Sequence, residues 1–432
     1  MHPHDSSGAV RRSLSPRIAL TALAFCLFLP GSARFAGAAE PAGRWSSESE
    51  ARLRLENRTN PGFEAGRAND SDAILSRLRL GLRWKDPAGW SLLVQPQLTY
   101  ARVRSGRTDS TLDGRVYQLH LDLTERGARW RIGRQVISLG DQRLMGPGNW
   151  GNSGRSWDGL RVTSARKSAT TDFFVARLGH VASKPTDPTL LGLYSTVSFG
   201  RGSGSDLYAI LKRERAGTTR EVWTLGVRPH GSLGGGLKGT LETALQAGHS
   251  GSRDVSAFAY AATLEYVPPG APDLSVALVR SYASGGDPTG AGAVHTFDQL
   301  YASNHQRYGY MDLVGWRNMR EWALSVAGRP RADLELVAEL HWFGLADARD
   351  YWYGDGGSPV KGTSGAPLRD PSGLSGRDLG REIDLVATWT PLPGLEVSGG
   401  WGRFMPGASV RRVNGGHADA MDWVFVQSAY GF

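Results

Sequence analysis

Four arginines and two aspartates crowd into one stretch of the 432-residue chain: Arg134, Arg143, Arg155 and Arg161 with Asp141 and Asp158. Gly133, Gly140, Asn149, Asn152, Gly154 and Gly159 lie among them. Glycine and asparagine permit tight turns, so the stretch reads as strand, compact loop, strand. A guanidinium fork grips a carboxylate bidentately. A ladder of arginines would therefore suit a ligand that carries carboxylates. The alternative is that Arg143 and Arg155 pair with the two aspartates and only pin the loop. Nucleophilic catalysis has less support. A barrel hydrolase needs a serine–histidine pair with an orienting polar group, and His120, His249 and His341 lie in no recognisable nucleophile motif.

The elements that would position these residues are strands. In residues 76–84, Leu78, Leu80, Leu82 and Trp84 point one way and Arg77, Arg79 and Arg83 the other. Residues 237–246, 258–266, 333–342 and 382–389 repeat the pattern. Charges collect on one face of a strand, whereas a helix would scatter them. Short Gly/Pro/Asp-rich turns near 85–89, 124–128, 165–169, 201–205, 228–236, 267–272, 328–332 and 390–394 alternate with mostly longer connections. The latter fall near 59–72, 104–113, 138–156, 181–192, 215–220, 248–254, 283–316, 345–378 and 406–420. Short turns on one side and long loops on the other is the sidedness of an outer-membrane barrel. The expectation is an all-β fold: a transmembrane antiparallel up-and-down β-barrel of about 18 strands, both termini periplasmic. The stretch Trp423–Phe432 ends on an aromatic with Tyr430 two before it. It resembles the assembly signal of such barrels, read by the barrel-assembly machinery.

Residues 1–38 read as a cleaved signal peptide and 39–432 as the barrel. Ile18–Leu29 is apolar, follows Arg11, Arg12 and Arg17, and precedes Ala36-Gly37-Ala38. At about twelve residues the apolar run is too short to span a bilayer as a helix. Cys26, the only cysteine, lies within it, so the exported part has no thiol chemistry. The leader holds a net +3 of the chain's +9, which leaves +6. An exported basic chain meets a small anionic solute, outer-membrane lipid or lipopolysaccharide rather than nucleic acid. The localisation that follows is the bacterial outer membrane.

The motif Gly133-Arg134-Gln135, Gly140-Asp141-Gln142-Arg143-Leu144, Asn149-Trp150, Asn152, Gly154-Arg155 and Trp157-Asp158-Gly159-Leu160-Arg161 resembles the signature of the alginate export outer-membrane protein family. The resemblance implies an eighteen-stranded barrel that moves an anionic polysaccharide passively outward, and no enzyme. A general or anion-preferring porin for small solutes is the alternative.

Taking the polar face of each strand as lumen, the first strands contribute Arg52, Arg54, Arg58, Arg77, Arg79, Arg83, Arg129, Arg131 and Arg161. The later ones contribute Glu242, Glu265, Glu321, Glu335, Glu339, Glu382 and Asp384. The expectation is a basic wall facing an acidic one, with a transverse field between. The expected pore-lining set is Arg52, Arg54, Arg77, Arg79, Arg129, Arg131, Arg134, Arg143, Arg155, Asp158 and Arg161. Strict alternation from Trp130 and Ile132 puts Arg134 on the lipid side, unless a bulge near Gly133 turns it inward. No cofactor is expected. Asp347, Asp350, Asp355, Asp370 and Asp378 would permit weak calcium binding in the 345–378 loop.

Overall fold

A computed structural model describes residues 43–63, 70–105, 107–179, 188–200, 202–305, 307–362 and 365–432. The expected signal peptide lies outside the described residues, as do parts of the 59–72 and 181–192 connections. Eighteen strands form one closed antiparallel barrel. β1 (Arg44–Ser47 and Glu50–Thr59) and β2 (Ser71–Arg79 and Leu82–Lys85) are each briefly interrupted. Then follow β3 (Trp90–Ser105), β4 (Arg107–Glu125), β5 (Ala128–Gln135), β6 (Trp157–Ala165), β7 (Ala169–Leu178), β8 (Thr189–Gly200) and β9 (Ser203–Ala216). The second half is β10 (Thr218–Gly234), β11 (Leu237–Ser250), β12 (Arg253–Tyr266), β13 (Leu274–Ala283), β14 (Met319–Arg331), β15 (Leu334–Gly344), β16 (Asp378–Leu392), β17 (Leu395–Pro406) and β18 (Met421–Gly431). A single helical turn, α1 (Ala408–Val413), sits between β17 and β18. The ring closes where Glu50–Thr59 pairs with Met421–Gly431, antiparallel from Glu50↔Gly431 to Thr59↔Asp422.

Burial is inverted relative to a water-soluble fold. Leu245 and Val426 are 63% and 55% exposed, while Arg77 and Glu382 are 4% and 0% exposed. Outward residues are Leu, Val and Phe along the strand middles, with Trp130, Tyr266, Trp389 and Tyr430 near the short-turn ends and Trp322 and Trp342 near the other. Such aromatic girdles sit at the two lipid–water boundaries. The protein is thus an outer-membrane barrel.

Three connections expected to be long are tight hairpins. β3 runs to Ser105 and β4 resumes at Arg107, β9 and β10 meet around Gly217, and β11 and β12 meet around Gly251-Ser252. Polar residues there continue the ladders beyond the lipid band, because cross-strand hydrogen bonds form as well in water as in lipid. The loops that do extend, 136–156, 284–318 and 345–377, fold inward. Ile137, Leu144, Met145, Phe297, Tyr308, Met311, Trp316, Trp352 and Leu368 are buried there with Phe404 and Trp423. The apolar core therefore lies inside the barrel among loops, and the strands surround it.

An outward mid-strand residue tests this inversion. Leu324→Arg, opposite Leu278 and Leu340, is expected to destabilise the barrel by about 2–4 kcal/mol in phospholipid vesicles. Denaturant unfolding measures it, and a change below about 0.5 kcal/mol would contradict the outward assignment.

Candidate functional site: an arginine clamp on an inward loop

β1 and β2 place Arg52, Arg54, Arg77 and Arg79 on one inward face, all buried. Their guanidinium groups converge on residues 149–154. Arg52 donates to Asn149 O (2.6 Å), Gly151 O and Asn152 Oδ1 (both 3.3 Å). Arg77 donates to Asn149 O (3.0 Å) and Gly151 O (3.2 Å). Arg54 donates to Trp150 O (2.7 Å) and stacks 3.7 Å from the centre of its ring. Arg79 reaches Asn149 Oδ1 (3.2 Å). Arg115 on β4 donates to Ser153 O and, at 3.0 Å, to Gly154 O, and Gln97 donates to Ser153 O (2.9 Å). Glu50 and Glu56 neutralise part of the charge, at 2.6 Å from Arg77 and 2.7 Å from Arg54.

Sequence reasoning did not single out Arg115, Gln97 or Tyr117. The register of β3 and β4 shifts between Gln95↔Gln118 and Pro96↔Val116, which leaves Tyr117 as an extra residue. This bulge falls at a proline, which has no N–H to give to the ladder. Tyr117 turns inward, donates to Asn149 Oδ1 (3.2 Å) and lies under Arg79, 3.5 Å from the ring centre. Only the proline within a strand signalled it.

The remaining expected arginines divide. Arg143 bonds Asp141 (3.0 Å) and Tyr308 Oη (2.9 Å). Arg155 donates to Gly146 O (3.0 Å), Tyr301 O and Ala302 O (3.2 Å). Both thus cross-brace loops 136–156 and 284–318, Arg143 partly through Asp141 and Arg155 through backbone carbonyls rather than an aspartate. Arg131 forks to Asp122 (2.6 and 2.8 Å) and Arg161 to Asp172 (2.9 and 2.7 Å). Arg129 is exposed near the short-turn end.

Arg134 and Asp158 do not face the pore. Gly133 has φ +118°, a conformation open to glycine, yet the register stays unshifted from Leu119↔Arg134 to Glu125↔Ala128. Arg134 therefore shares the outward face of Ile132 and Leu119. Its fork to Asp158, 2.7 Å at both nitrogens, compensates the charge at the last residue but one of its strand.

The expected opposed walls are corrected in part. The acidic side chains Glu321, Glu339, Glu382 and Asp384 lie on β14–β16, separated from β1 only by β17 and β18. These four adjoin the arginine wall instead of facing it, because eighteen strands bring the chain round the ring before they arrive, whereas Glu242 on β11 and Glu265 on β12 do lie across the ring from β1 and β2. The five loop aspartates do not converge: no three of them share a ligand site among the described residues. Asp350, for example, accepts from Gly286 N (3.1 Å), Thr296 Oγ1 (2.5 Å) and Tyr353 Oη (2.9 Å).

Toward the short-turn end the lumen opens into a cavity of about 530 Å³. Glu48, Glu50, Gly394 and Gly431 rim it, and Arg79, Tyr117 and Asn149 form its inner end. Beyond the clamp, Trp150 stacks on His305, centroids 3.7 Å apart and planes 8° apart, and His305 Nδ1 lies 2.9 Å from Asp312. Burial, with Asp312 nearby, pushes Asp355 up to about 7. Burial also acts upward on Asp141, but Arg143, Arg307 and Arg228 hold it below the ordinary carboxylate range.

Comparison with known proteins places this geometry. The alginate export family model matches residues 45–424. The fold is similar to three outer-membrane proteins of Pseudomonas aeruginosa. OpdQ shares 10% identity at a TM-score of 0.61, over 90% of this chain and 97% of that one. OprD shares 12% at 0.57, over 90% and 93%. OccK7 (OpdD) shares 14% at 0.56, over 90% and 98%. No curated protein matches the chain in sequence.

Two outcomes are expected. Replacing Arg52 and Arg77 together by alanine removes charged hydrogen bonds of about 1.5–3 kcal/mol each; it should free residues 149–154 and raise single-channel conductance, and unchanged conductance would contradict the clamp. Asp355 holds its proton in the folded chain between about 3.8 and about 7, where the unfolded chain has lost it. Stability therefore falls as pH rises through that window. Asp355→Asn should raise the thermal midpoint by a few degrees at pH 8 and have little effect at pH 4, as followed by circular dichroism.

Proposed function

The chain belongs to the alginate export family, and from that premise we propose that it is a passive outer-membrane channel for an anionic polysaccharide of the uronate class. The observation that carries this reading is the clamp: four arginines on adjoining strands, joined by Arg115, hold a row of loop oxygens at the inner end of a water-accessible vestibule. A carboxylate adds its own charge and can take two parallel N–H bonds from one guanidinium, which a single neutral carbonyl cannot. Sugar carboxylates entering from the short-turn side can therefore replace the carbonyls of residues 149–154 one by one. The loop oxygens stand where a polyuronate's carboxylates would bind.

In this reading residues 1–38 are the export signal, removed before the barrel-assembly machinery inserts the strands among lipid and lipopolysaccharide. A second reading, an anion-preferring porin for small solutes, draws on the size of the vestibule. Its volume falls in the range of small-ligand sites, about 300–1,000 Å³, and loops 136–156, 284–318 and 345–377 fill the lumen beyond it.

Planar-bilayer recording decides. The purified protein is expected to conduct with anion preference, and soluble polyuronate added on the short-turn side should block it. Arg77→Glu should weaken both preference and block at least tenfold. Anion preference without block leaves the small-solute porin; cation preference overturns both.

A further inference from the structure

The acidic side chains of β14–β16 surround one imidazole. His341 Nδ1 lies 2.8 Å from Glu321 Oε1. Its Nε2 lies 3.2 Å from Glu339 Oε2 and 3.8 Å from Asp384 Oδ2. Glu382 adjoins on the same face, two residues before Asp384. Glu321, Glu382 and Asp384 are 0% exposed and His341 2%. Among the described residues, no lysine or arginine comes within 4.0 Å of these four carboxylates. Three of their oxygens, Glu321 Oε2, Glu382 Oε2 and Asp384 Oδ1, are buried with no hydrogen-bond partner among the described residues.

Buried carboxylates are costly unless paired or bound to a metal ion. One imidazole cannot balance four of them. Its geometry also has the arrangement seen around metal-bound histidines. With Glu321 accepting the Nδ1–H, the tautomer would be fixed and the Nε2 lone pair available to a metal ion. That lone pair looks toward two carboxylate oxygens, a repulsive contact unless a cation or proton lies between. Donors about 2.0–2.2 Å from a tetrahedral zinc ion stand roughly 3.3–3.6 Å apart. The two separations from Nε2 bracket this, and the three donor atoms all lie within 4.8 Å of one another. A nitrogen with two carboxylates suits zinc better than calcium, which takes six to eight oxygens.

We propose that His341 Nε2, Glu339 and Asp384 bind one zinc-like divalent ion inside the barrel wall, with Glu321 orienting the imidazole. The ion neutralises the wall on which loop 284–318 is seated. Glu382 Oε1 accepts the Met311 N–H (3.0 Å) and Asp384 Oδ2 the Tyr310 N–H (3.4 Å). Gly309, at φ +81°, brings the loop so close that a Cβ would fall 2.1 Å from Glu382 Oε1. Metal binding and loop seating thus share the Asp384 carboxylate, with Glu382 beside it on the same strand.

The test uses the purified full barrel, stripped with chelator and titrated calorimetrically with zinc, calcium or magnesium chloride. One zinc per chain is expected, with calcium and magnesium at least a hundredfold weaker. His341→Ala and Asp384→Asn should each lose binding by a hundredfold or more. Glu321→Gln should weaken it about 10–100-fold. His249→Ala, at an exposed histidine beside Asp254, should change nothing. Folding of each variant is checked by its compact mobility on unheated gels. Should the variants fail to fold, X-ray absorption of the zinc-loaded native barrel decides, a shell of one nitrogen with oxygens being expected. No stoichiometric zinc uptake, uptake unchanged in both variants, or a shell without one histidine nitrogen overturns the proposal.

Discussion

Hydrocarbon offers no partner for a backbone N–H or C=O, and that single fact organises this molecule. Each ladder must be completed by another strand, so the sheet has to close. Closure combined with the two-residue period of a strand then sends every second side chain inward. The outward half has to be apolar, so nearly all of the strands' charge is delivered to the lumen. The arginine wall, the acidic wall and their compensating partners are consequences of that sorting.

Charge packed inside a barrel must still be satisfied. On β4–β7 the solution is lateral, with Arg131 on Asp122 and Arg161 on Asp172. On β1–β4 it is vertical: guanidinium groups reach for the carbonyls of a loop that descends into the pore. A carbonyl carries no net charge, so the wall keeps its positive potential while its hydrogen bonds are filled. This lets one set of side chains hold the structure and still favour an anion. The acidic wall meets its need differently, with one histidine shared among several carboxylates.

Much of the barrel could be read from residue order. Leu78, Leu80 and Leu82 against Arg77, Arg79 and Arg83 report which face meets lipid, because alternation is a local property of a strand. The count of eighteen held for the same reason. Three features were not legible. The hairpins at Gly217 and Gly251 looked like loops because polar residues on a strand protruding into water carry no apolar alternation. The bulge at Tyr117 depends on how two strands align, a relation between chains of residues far apart. The loop partners of Arg52 and Arg77 lie 72–100 positions away, where spacing says nothing. Arg134 is the instructive case. Alternation alone put it outside, and the glycine before it invited an inward bulge that cross-strand pairing with Asp158 made unnecessary.

The junction of β1 with β18 differs in kind from every other pairing in the ring. All the others join strands consecutive in the chain; this one joins residues more than 360 positions apart. Bringing such distant ends of a flexible chain together costs about 5 kcal/mol in chain entropy, against ten paired positions. Ser49 then fastens the join by exchanging backbone hydrogen bonds with Phe432 in both directions, while its hydroxyl receives the Gly81 N–H. Without this one pairing the sheet would present two raw edges to lipid, so the closure of the whole ring rests on it.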